Sequence, residues 1–236
     1  MIDWNFLSTT MLRLLGGLPV TLELAAASII VGVGLAVALA MLREASRIGA
    51  WAVRFYVFVL RGTPLLLQIF LVYYGLGQFP WVRHSLLWPF LRQPWWCAIL
   101  ALALNTAAYG SEIVRGGLAA VPPGAVEAAR VAGMSRRATY RRIILPLAFR
   151  QALPAYGNEW VIMIKSTSLA SIVTLMEVTG VAYAIISETY RAVEVFLCAG
   201  AIYLTLTFLL TRAVAALEYR LTPYRRRPET TMGGLA

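Results

Sequence analysis

Long apolar stretches, interrupted by connections rich in arginine, leave this 236-residue chain few folds to choose from. A helix needs about 20 mostly apolar residues to cross the hydrocarbon core of a bilayer, and inside lipid a helix satisfies its own backbone hydrogen bonds. Five stretches qualify, over residues 19–42, 55–76, 95–113, 156–175 and 193–217. The fourth is the most polar of them. The expectation is an all-α integral membrane protein: one domain over 1–236, with five transmembrane helices and a polar loop over 115–155. Hydrophobic residues make up 60% of the chain and charged ones 14%, so the core is bundle plus lipid. Gly32 and Gly34 suit close helix packing in the first span, and residues 176–191 read as a short surface or re-entrant helix.

Net charge is +10, and every basic residue except Lys165 is arginine. These arginines alternate with apolar spans instead of covering one soluble face, which fits membrane loops and argues against a nucleic-acid partner. One set of connections carries Arg43, Arg47 and Arg54, then Arg115, Arg130, Arg136, Arg137, Arg141, Arg142 and Arg150, then Arg212, Arg220, Arg225, Arg226 and Arg227. The opposite set has Arg13, Arg83, Arg92 and Arg191. The positive-inside rule therefore puts the N-terminus outside and the C-terminus in the cytoplasm. Trp81, Trp88, Trp95 and Trp96 flank the outer end of the third span, where amphipathic rings favour the interface. The first residues lack a basic segment followed by a cleavage site, so the first span is expected to insert and stay. The tail after Pro223 reads as a disordered cytoplasmic end. Cys97 and Cys198 lie in apolar spans without a Cys/His cluster and read as buried, unpaired thiols, with no metal site implied.

Within the 115–155 loop, Pro122-Pro123-Gly124 stops one helix and Ala125–Ala132 has the composition of another. Glu127 is expected in its first turn, Gly133 at its end and Ser135 at the cap of a following helix. Pro146 is expected to disturb or kink that following helix. Small residues Ala128, Ala129 and Ala132 suit a close fit into a partner's groove. An interfacial amphipathic helix with a Glu127–Arg130 surface pair accounts for the same residues. In combined spacing, Glu127, Ala128, Ala129, Gly133, Ile143, Leu145 and Pro146 resemble the EAA loop of ABC importer permeases. Arg61-Gly62-Thr63-Pro64 with Gln68, Leu104-Asn105-Thr106 with Tyr109 and Glu112, and Leu153-Pro154-Ala155-Tyr156 with Asn158-Glu159 resemble the polar amino acid permeases. Similarity is closest to the histidine, arginine and opine permeases. It implies a MetI-like fold of five spans in the bacterial inner membrane, with the EAA loop contacting a dimer of ATP-binding subunits. It also implies a second permease chain, as a homodimer or a paralogous heterodimer, and an extracytoplasmic solute-binding protein.

No P-loop is present: the only lysine, Lys165, follows Ile164, so the energy source is another subunit or an ion gradient; the resemblance implies ATP and Mg²⁺ in a partner ATPase, with no cofactor in this chain. His84, the sole histidine, lies in an outer connection without a nucleophile motif and reads as a solvated loop residue. Catalysis is not expected. Polar groups within spans are more telling, because an ionised group near the bilayer centre costs about 2.5–3.5 kcal/mol on insertion scales. Asn105, Tyr109 and Glu112 recur at i, i+4, i+7 and share one helical face. Asn158 with Lys165, and Glu159 with Ser166 beside Thr167, form a second polar stripe. Together with Gln68 these residues are candidates to line a passage for an amino acid, with Glu112 or Glu159 attracting a cationic group. Interhelical hydrogen bonding accounts for them equally well. Arg61 is expected to snorkel to the cytoplasmic surface. The competing function is a self-sufficient ion-coupled carrier, which needs no EAA loop.

Overall fold

The computed structural model describes residues 3–221. Asp3 caps α1 (Trp4–Leu15) by accepting the Phe6 amide at 3.0 Å. Gly16 and Gly17 turn the chain into α2 (Leu18–Ala45), the first long apolar helix. Gly17 is needed there: a β-carbon would stand 2.7 Å from the Glu177 carbonyl carbon. Ser46 caps α3 (Arg47–Gly62) through the Gly49 amide. Pro64 then interrupts the second apolar run, and α4 (Leu65–Phe70) departs at 106°. A π-turn (Leu71–Gly75) and two short helices, α5 (Pro80–Arg83) and α6 (Trp88–Leu91), lead to α7 (Pro94–Ala119).

α7 is the axis of the bundle. Its alanines Ala98, Ala101, Ala103, Ala107 and Ala108 are almost wholly buried, and α2 runs parallel to it at close range. Gly32 permits that approach, since a β-carbon there would meet Thr106 Cγ2 at 2.7 Å. Lipid offers no hydrophobic drive to join helices, so small residues that let backbones and dispersion contacts meet carry the packing. At Gly34, expected to serve the same purpose, a β-carbon would meet nothing within 4 Å.

Beyond α7 come α8 (Pro123–Val131) and α9 (Arg136–Thr139), a π-turn (Tyr140–Ile144) and α10 (Leu145–Ser166), which packs antiparallel on α7. Arg136–Val173 is one continuous helical run, and Pro146 disturbs it as expected: the π-turn over Tyr140–Ile144 directly before it interrupts the α-helical pattern and accommodates its ring. The fourth run therefore begins well before the expected 156–175 span. A 3₁₀ stretch (Thr167–Val173) leads to α11 (Val178–Thr189), which packs against α1 and α12 (Ala192–Leu221) through buried Val178, Ala182 and Ile185 instead of lying on the surface. Glu177, fully buried, caps α11 by accepting the Gly180 amide at 2.8 Å and the Tyr203 hydroxyl at 2.5 Å.

Among the described residues three helical stretches are long and apolar enough to cross a membrane, or five if each of two bent pairs is one span. The bent pairs are the expected second and fourth spans, where proline and polar residues break the apolar pattern. Ile30, Phe58, Leu204 and Phe208 project from the bundle, as lipid-facing groups do. α1, which lies before the expected 19–42 span and was not foreseen as a helix, is tied to the far end of the chain: Arg13 pairs with Glu188 at 2.8 Å and Arg191 with Asp3 at 3.0 Å. Cys97 and Cys198 are buried and free, and His84 is exposed. The tail beyond Pro223 lies outside the described residues.

Candidate functional site

Two groups of residues stand out, one at the end of the bundle where α7 finishes and one halfway along it. At the end, Pro123 opens α8 and Gly133, at φ 75°, closes it. The Gly133 amide donates to the Arg130 carbonyl and the Met134 amide to the Ala129 carbonyl, both at 3.0 Å. This paired closure requires the left-handed conformation that glycine adopts without strain. Glu127 lies in the second turn, one turn later than its sequence context implied, and no Glu127–Arg130 ion pair forms among the described residues. Ala129 is buried, whereas Glu127, Ala128 and Val131 form an exposed face. Val131, 90% exposed, was not singled out in the sequence. Ser135 caps α9, and Ile143, Leu145 and Pro146 occupy the π-turn and the start of α10 that follow.

Halfway along, α3 ends beside α7. The Tyr56 hydroxyl donates to the Leu104 carbonyl at 2.6 Å, and Asn105 Nδ2 donates to Gln68 Oε1 at 2.9 Å. One turn on, Arg61 is exposed, as a snorkelling side chain would be, and its guanidinium lies over the Tyr109 ring, 4.7 Å from its centroid. Arg61, Tyr109 and Glu112 line a cavity of about 390 Å³ with Gln151 and Ala155 of α10. Glu112 is clamped by Arg43 and by Arg115, the latter at 2.8 Å.

On α10 the two polar rows diverge. Asn158 and Lys165 are exposed on the outside of the bundle. Glu159 is only 7% exposed, and among the described residues no hydrogen bond or ion pair engages it. Arg61 is the cation whose field reaches it. Ser166 is half-buried, and Thr167, fully buried, donates to the Ile164 carbonyl at 2.7 Å. The structure thus joins Gln68 to Asn105 and sets Tyr109 and Glu112 on one cavity wall. Asn158 and Lys165 stay apart from them. The partners Arg43 and Arg61 were missed as members of this group; Arg115, three residues from Glu112 on one helix, was the one legible signal.

A family model described as a binding-protein-dependent transport system inner membrane component matches residues 28–223. The chain belongs to this family. It is therefore a multi-pass inner-membrane permease component, which speaks against the ion-coupled carrier. It is 59% identical over 229 residues to the octopine transport system permease protein OccM of Rhizobium meliloti, covering 95% of this chain and 92% of that one. To the arginine ABC transporter permease protein ArtM of Escherichia coli K12 it is 45% identical over 178 residues, 75% of this chain and 79% of that one. A crystal structure of an amino acid ABC transporter with histidines superposes with a TM-score of 0.82 at 32% identity, covering 93% of this chain and 99% of that one.

Proposed function

We propose that this permease carries a cationic amino acid or an amino acid derivative of that class inward, worked by a separate ATPase that grips the α8 face. Glu159 carries the reading. A buried carboxylate without a partner is costly, and within a membrane span it marks a place where a counter-charge arrives. Glu112 and Glu177 already have their partners; Glu159 does not. A solute ammonium or guanidinium supplies one, and Arg61, nearby, suits the solute carboxylate. The octopine and arginine permeases among the relatives fit a solute with both charges.

In this reading Glu127, Ala128 and Gly133 form the surface that docks into the ATPase, the buried Ala129 seats α8 against the bundle, and Ile143, Leu145 and Pro146 fix its angle to α10. ATP and Mg²⁺ bind in that partner. The arginine distribution supports an outside N-terminus and a cytoplasmic α8, and an extracytoplasmic binding protein delivers solute to the opposite end. A second permease chain, identical or paralogous, completes the passage, because Asn158 and Lys165 would otherwise face lipid.

The test is uptake by the complete complex in proteoliposomes carrying Glu159→Gln. Loss of a charge-assisted contact worth about 1.5–3 kcal/mol should raise KM for a cationic solute at least about tenfold. An unchanged KM and rate in the assembled variant would remove Glu159 from the passage.

A further inference from the structure

Pro64 has no N–H, and the chain turns through 106° between α3 and α4, so the last carbonyls of α3 lose the amides of a next helical turn. In a bilayer such carbonyls need substitute donors. Two side-chain amides supply them. Gln68 Nε2 donates to the Leu60 carbonyl at 2.7 Å, the Thr63 carbonyl at 3.1 Å and Thr63 Oγ1 at 2.8 Å. Gln68 Oε1 accepts from Asn105 Nδ2, which also reaches the Leu60 carbonyl at 3.5 Å. Gln68 is only 7% exposed, and both ends of its amide are spoken for inside the fold. An amide so engaged has little left to offer a passing solute.

We propose that Gln68 and Asn105 are positioning residues that fasten the α3–α4 elbow to α7, so that the elbow moves when α7 is moved. α7 continues as one helix from Asn105 to Ala119, about 20 Å at 1.5 Å per residue. After a three-residue connection it becomes α8, the face offered to the ATPase. Arg61 sits at the elbow and lines the cavity, so a displaced elbow reshapes the passage beside Glu159. The amide pair is in this way a mechanical joint between the driven end of the molecule and its middle. It deepens the importer reading and rests on it.

The experiment measures solute uptake and ATP hydrolysis together in proteoliposomes of the complete complex, for wild type, Gln68→Leu, Asn105→Leu, the double variant and Thr63→Val. Each single leucine variant should lower the solute moved per ATP about tenfold with KM for solute unchanged, the size expected when a buried amide loses its partner. The double variant should be no worse than the poorer single one, because the two act as a unit. Thr63→Val removes one of the three acceptors of Gln68 and should lower the ratio about twofold; it decides the matter where a leucine variant does not assemble. A raised KM at unchanged uptake per ATP would make the amides solute ligands and overturn the proposal. An unchanged ratio in every assembled variant would overturn it too, leaving amides that only stabilise the bend. A wild-type complex without ATP-driven uptake would remove the importer reading itself, a failure distinct from either of these.

Discussion

Glu112 is held by two guanidinium groups, Glu177 by an amide and a phenol, and Glu159 by neither. The same carboxylate thus serves as a brace between helices, a helix cap and an open charge, according to what its neighbours supply. A fourth acid, Asp3, lies outside the spans and gives a pH-dependent signature. The Phe6 amide first, and the Arg191 guanidinium second, hold its carboxyl below the ordinary 3.8. A lowered value means that the tie of α1 contributes stability above the ordinary carboxyl range and loses it as pH falls through the lowered value. Asp3→Asn should therefore lower the melting temperature of the purified protein at neutral pH, with the difference from wild type vanishing in acid; an equal difference at every pH would contradict the tie. What the sequence could tell at this scale followed local period. The i, i+4, i+7 spacing is enough to put Asn105, Tyr109 and Glu112 on one face, whereas their partners Gln68 and Arg43 lie 37 and 69 residues away in the chain, a separation that no helical repeat encodes.

At the level of elements, composition located the spans, while Gly62 and Pro64, not hydropathy, mark the bend of the second. The run over 55–76 is apolar on both sides of Pro64, so hydropathy cannot tell a straight helix from a right-angled one; the proline does, and Gln68 and Asn105 make the bend tolerable in lipid. The end of α8 was legible because Gly133 and Ser135 are local punctuation. The disturbance at Pro146 was legible as well, because its ring cannot follow an undisturbed α-helical turn; the π-turn that absorbs it, and the unbroken run from Arg136, were not. These caps predict how the coupling segment fails. Gly133→Asp puts a β-carbon at φ 75° and should cost on the order of 1 kcal/mol in the segment, while Glu127→Lys reverses the charge of its exposed face. Both variants should insert normally and lose the ATPase on co-purification. Retention of the ATPase by both would move the docking surface elsewhere.

For the whole molecule, the surface of the bundle is not uniform. Ile30, Phe58 and Leu204 face outward where lipid belongs, yet Asn158 and Lys165 are also exposed on a membrane-spanning helix, and groups of that kind are not left to lipid. In the proposed reading the α10 side is therefore the one on which a second permease chain closes the passage. Asn158→Cys or Lys165→Cys should cross-link to that chain in native membranes, Cys97 and Cys198 being buried; modification of the new cysteine by a lipid-soluble thiol reagent instead would turn this face to the bilayer. In the proposed reading the passage through this chain is driven from α8 by a separate ATPase. The most direct measurement of that drive is uptake of a cationic amino acid into proteoliposomes, with this chain, its paired permease and the binding protein present, and the ATPase added or withheld. ATP-driven uptake is expected, and it should disappear without the ATPase and in Glu127→Lys; uptake by the chain alone on an ion gradient would overturn this reading.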